Sequence, residues 1–154
     1  MSRFLVLAIP LALLVLMAGA SLVDAAGWGP DLSPLAARGV ARPDGAPLRI
    51  TLVSGLLEAT ALVALTLLLA GRTARWWSDG LACGLVAWIF RGPLLVLAVS
   101  ALTRLPVAPF ATLARGALAL DLVAALALAA LARATLRGSD TAPEAPSAPP
   151  ESQA

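Results

Sequence analysis

The chain has 154 residues, 60% of them apolar and only 13% charged, with a formal net charge of +2 and a mean hydropathy of +0.90. Soluble domains carry about 25% charged residues, so this chain is too poorly charged to cover a water-facing surface and reads as a membrane protein. The absence of His and the single Cys83 exclude the usual N/S zinc sites, axial-His haem, Ser-His-Asp and Cys-His catalysis, C-x-x-C redox centres and an internal disulfide.

Four apolar segments follow in chain order: Phe4–Val23, Thr51–Ala70, Leu81–Thr103 and about Phe110–Ala132. Each is near the roughly 20 residues that cross a hydrocarbon core as helix. Helix is expected over strand because backbone groups in lipid must be satisfied within their own segment. Leu and Ala dominate, and no period-2 alternation suggests a barrel. The expected fold is all-α: an antiparallel four-helix transmembrane bundle with a disordered C-terminal tail.

The first segment, MSRFLVLAIPLALLVLMAGAS, has a short basic start, an apolar core and Ala18-Gly19-Ala20, the shape of a cleavable signal peptide. Its apolar run continues through Ser21-Leu22-Val23 to a full span, which favours a retained helix. Both readings place the next segment, residues 24–50, outside the cytoplasm. In that Gly- and Pro-rich loop Ser33-Pro34 is expected to cap and start a short helix ended by Gly39.

Further along, GRTARWWSDG packs two arginines beside Trp76 and Trp77, a pair suited to an interfacial aromatic belt. Arg3, Arg72, Arg75, Arg133 and Arg137 then lie on one side. Arg38, Arg42, Arg49 and Arg104 lie on the other, with Arg115 near the boundary. This distribution gives an N-in, C-in topology in a bacterial inner membrane. All eleven basic residues are Arg, and they flank hydrophobic spans, so no nucleic-acid site is read from them. Arg104–Pro109 is a short turn with two prolines. The tail, residues 138–154, is rich in Pro, Ala and Ser with no large apolar residue, and is expected to be disordered.

Three ionisable residues fall deep inside expected spans: Glu58, Arg91 and Asp121. Insertion scales put such a charge at a helix centre at about +2.5–3.5 kcal/mol, so pairing or water contact is required. Counted inward at about 1.5 Å per residue, the three occupy overlapping layers between the outer third and the midplane. Small residues recur beside each at spacings of three and four: Thr51, Ser54, Gly55 and Ala61; Gly80, Gly84 and Ala87; Ala114, Ala117 and Ala124. Such stripes let membrane helices approach closely, so the charges are expected to face inward and meet.

Gly92 and Pro93 should kink the third span and free the Ile89 carbonyl as an acceptor for Arg91. One guanidinium against two carboxylates leaves the cluster net negative, or one acid carries a proton. Trp88 is placed to stack on Arg91 or to pack in the core, and Cys83 reads as a small packing residue. Three roles compete for the cluster: fixing helix register, exchanging a proton or cation in transport, and meeting a lipid headgroup or partner helix. No catalytic residue, cofactor or metal site is expected. The expected function is a non-enzymatic accessory or assembly subunit acting through helix contacts with another integral membrane protein or itself. The alternative is a minimal proton- or cation-coupled solute transporter acting as a homo-oligomer.

Overall fold

The computed structural model describes residues 2–39, 48–70, 72 and 75–136. All its regular elements are helical: α1 (Ser2–Ala25), α2 (Ser33–Ala36), α3 (Leu48–Leu69), α4 (Trp76–Arg91), α5 (Pro93–Leu102) and α6 (Ala108–Leu136). Four stretches are long and apolar enough to span a membrane: Arg3–Ala25, Leu48–Leu69, Trp76–Leu102 and Ala108–Leu136. The expected disordered tail, with Arg42 and Arg137, lies outside the described residues.

Leu and Ala, which lose little on entering a helix, dominate these stretches. Their few hydroxyls bond back to their own helix. Thr60 donates to the Leu56 carbonyl, Thr66 to Leu62 and Thr135 to Leu131, each at 2.8 Å. No hydroxyl of these three is therefore left unsatisfied in an apolar setting.

The third span begins at Trp76 rather than Leu81 because Trp76, Trp77, Ser78 and Asp79 form its first turn. There the Asp79 carboxylate suits the positive end of the helix dipole. Its second half is a separate helix. Gly92, at φ −100° and ψ −89°, leaves the helical well while its N–H still donates to the Trp88 carbonyl at 2.7 Å. Pro93 has no N–H to give Ile89, and the ladder resumes with Val96 donating to Gly92 at 3.0 Å.

In the loop, Ser33 is not the cap expected of it. Leu32 stands at that position with no side-chain cap bond, and Ser33 opens α2. The Ser33 N–H donates to Asp31 Oδ1 at 3.0 Å. The Ser33 hydroxyl and this N–H hold the Asp31 carboxyl below its ordinary range. Gly39 follows α2 at φ +69°, where a side chain would be strained.

The fold centres on α6, which buries Ala114, Ala117, Asp121, Ala124, Leu128 and Ala132 along one stripe. On one side α1 packs with Phe4, Ala8, Ala12 and Leu16. On the other, α4 approaches through glycine. A Cβ on Gly80 would lie 3.1 Å from Ala129 Cβ, and one on Gly84 would lie 2.9 Å from Leu122 Cα. The third span's expected stripe therefore carries the contact: Gly80 and Gly84 are buried, Ala87 and Arg91 half-buried.

The buried side of α3 is rotated from the expected one. Gly55, Ala59, Leu62, Val63 and Thr66 are buried, while Ser54 and Ala61 are exposed. Gly55 takes the Leu13 and Met17 side chains of α1, and Thr66 meets Cys83 of α4. Those two neighbours set the face more strongly than the small residues around Glu58. No residue of α5 is buried.

Candidate functional site

The structure brings Glu58, Arg91 and Asp121 together from three different helices. Arg91, in the last turn of α4, directs Nη2 to Glu58 Oε2 at 3.1 Å and Nη1 to Asp121 Oδ1 at 3.3 Å. The guanidinium fork spans the gap between α3 and α6, and its planar, fixed donors suit two carboxylates at once. The Ile89 carbonyl, expected as an acceptor, is not its partner. With two carboxylates in reach, the charged acceptors are the stronger ones.

The three differ in depth. Asp121 is 2% exposed, whereas the side chains of Arg91 and Glu58 are 35% and 37% exposed. Asp121 Oδ1 accepts from Arg91, but Oδ2 is buried with no hydrogen-bond partner. Gly84 explains how the carboxylate sits so deep, because its missing side chain lets α4 lie against the backbone of Asp121 and Leu122.

Beside these three residues is a cleft of about 430 Å³ between α3 and α4. Leu62, Leu65, Val86 and Phe90 wall it, and Glu58, Arg91 and Asp121 supply its polar surface. The volume lies within the range of small-ligand pockets, about 300–1,000 Å³. Its chemistry is an apolar slot that holds one deep carboxylate, Asp121, and a part-exposed ion pair, a set with one carboxylate more than cations.

Gly92 is buried at the α4–α5 break, and Pro93 opens α5 beside it. A Cβ on Gly92 would fall 2.8 Å from Trp88 Nε1, so this glycine also leaves room for the indole. Trp76 and Trp77 sit at the other end of α4, in its first turn. Trp77 is exposed, with the Arg75 guanidinium 5.7 Å from its ring centre, a cation–π arrangement. Trp76 lines a second cavity of about 170 Å³ with Thr66, Asp79, Ala129 and Arg133.

Trp88 does something the sequence reading missed. It does not stack on Arg91; its Nε1 donates to the Ala114 carbonyl of α6 at 2.7 Å. The bond ties α4 to α6 about one turn from Arg91 along α4 and about two turns from Asp121 along α6. Replacing Trp88 with Phe keeps most of the apolar ring and removes the donor. The expected loss is about 1 kcal/mol, read as a lower midpoint in a detergent-denaturation titration. Cys83 packs as expected of a small buried residue, but its Sγ also lies 3.4 Å from Thr66 Oγ1, a polar contact between α3 and α4. Asp79 is buried at 8% exposure, although its position near the start of a span hid it in the sequence.

The chain matches no protein-family model, no curated protein and no solved structure.

Proposed function

We propose that this chain is a polytopic protein of a bacterial inner membrane, with both ends inside, working as a non-enzymatic accessory or assembly subunit through helix contacts. The observation that carries the reading is the Glu58–Arg91 pair. It lies near the middle of a span yet is about one-third exposed on the flank between α3 and α4. Charges at that depth are costly in contact with lipid, and the described helices of this chain leave them part-exposed. A second membrane protein packed on that flank removes the exposure.

The contact pattern supports an antiparallel bundle. Gly80 and Gly84 of α4, and Gly92 just after it, face Ala129, Leu122 and Ala114 of α6 in turn. Gly19 of α1 meets Leu120 of α6, and Val23 meets Gly116. The end of α3, the start of α4 and the end of α6 share the cavity around Trp76 and Arg133. Arg72 and Arg75 belong to that same end, consistent with a cytoplasmic face.

Extraction in a mild detergent followed by native mass spectrometry tests the reading. A defined heteromer is the expected species, and deletion of this chain should reduce assembly of its neighbour. Recovery of the chain alone, with every neighbour assembling normally after deletion, overturns it. The intact mass also reports whether residues 1–20 are retained.

One observation favours the alternative of a homo-oligomeric transporter: the unpartnered Asp121 Oδ2 beside a cleft large enough for a small solute. That reading requires a homo-oligomer in the same spectra. It also requires Glu58→Gln or Asp121→Asn to abolish flux while the protein still folds.

A further inference from the structure

We infer that the cleft between α3 and α4 receives a lysine side chain from a membrane-spanning helix of a different protein. The inference rests on the accessory-subunit reading and specifies the chemistry of the partner.

Charge comes first. Glu58 and Asp121 bring two carboxylates to one guanidinium, so the ionised cluster has one negative charge in excess. One added cation makes it neutral, four charges in two pairs, and neutrality is what a site flanked by lipid requires. Hydrogen bonding agrees. Asp121 Oδ2 is an acceptor in a residue 2% exposed, it has no partner among the described residues, and Asp121 lines the cleft. A buried acceptor of that kind is costly until a donor reaches it.

Shape selects the donor. Leu62, Leu65, Val86 and Phe90 give the cleft an apolar lining, and of its polar groups Asp121 is the deepest, with Glu58 and Arg91 nearer the surface. Lysine matches this with an apolar four-carbon stem and a compact ammonium carrying three donors. The cleft opens between two helices, so a third helix laid along that flank carries its side chain inward. This chain contains no lysine. A second copy therefore does not supply the group, and the occupant is another protein.

The test uses the full chain in phosphatidylcholine vesicles, labelled with an acceptor dye at its C-terminus. The probes are donor-labelled Leu/Ala membrane-spanning peptides bearing Lys, Leu or Glu at the central position. Energy transfer should report association of the Lys peptide at least about tenfold tighter than that of the Leu or Glu peptides, the value expected of one charged hydrogen bond. Glu58→Gln combined with Asp121→Asn should bring the Lys peptide down to the Leu level. Moving the lysine two turns toward the peptide end should do the same, and that arm needs no variant of the protein to fold.

Equal binding of the Lys and Leu peptides overturns the inference. So does tight Lys binding that survives the double substitution or the shift in depth. A heteromer in the native spectra together with equal peptide binding leaves the accessory reading standing and removes this one. A chain that extracts alone yet prefers the Lys peptide supports the site and removes the accessory role.

Discussion

Substituting Arg91 by Met is expected to destabilise the fold by about 3 kcal/mol. That is the lower end of the cost of stripping one partner from a buried ion pair, because part of Arg91 reaches the surface. The loss comes from what remains: Asp121, 2% exposed, facing Glu58 with no cation between them. The informative comparison is the triple variant Glu58→Gln, Arg91→Met, Asp121→Asn. Replacing a whole buried ionic group by neutral residues of similar size is often close to neutral, so most of the loss should be recovered. Detergent-denaturation midpoints of the wild type, the single variant and the triple variant decide it. A triple variant as unstable as Arg91→Met alone would mean that the shape of the arginine, rather than charge balance, holds the three helices.

Gly84→Val should cost about 1–3 kcal/mol, the usual range for overpacking a close contact. A Cβ there would stand 2.9 Å from Leu122 Cα and 3.0 Å from the Asp121 carbonyl. Both are backbone atoms of α6, so no rotamer change relieves the clash and the helices must separate. Separation at this level also draws Asp121 away from Arg91, and the loss should therefore be smaller in a background already lacking the ion pair. Gly116 provides the control. A Cβ there would meet only Val23 Cγ1 at 3.4 Å, an ordinary contact. Gly116→Ala should unfold at or above the wild-type midpoint, since Ala favours the helix over Gly.

Much of this architecture was legible in the residues. The apolar segments marked the four long helices, and Gly92-Pro93 marked the break in the third. The inward stripes of α4 and α6 followed from Gly80, Gly84, Ala114, Ala117 and Ala124, because small residues at helical spacing have one strong use in such a chain. The stripe on α3 did not follow. Small residues surround Glu58, but the buried face is fixed by the Leu13 and Met17 side chains that Gly55 accommodates. Volume on a neighbouring helix is invisible in a single segment's periodicity.

The site shows the same division. Charges at matching depth pointed to the cluster of Glu58, Arg91 and Asp121. The bond from Trp88 to the Ala114 carbonyl had no signal, since every helical residue carries a carbonyl and nothing in the sequence says which one an indole will reach. The loop shows how close two local rules can be. Asp31 and Ser33 are both good acceptors for backbone N–H groups, and the carboxylate two residues upstream took the Ser33 N–H.

Asp121 follows Arg91 in the chain by 30 residues, whereas Glu58 precedes it. In the membrane reading proposed above, a ribosome therefore delivers Glu58 and Arg91 first. The growing chain holds a neutral couple before α6 has left the exit tunnel. The surplus negative charge arises only when the last helix docks. A partner that answers to that charge joins finished copies and passes over truncated ones, so the order of synthesis itself becomes a checkpoint on assembly.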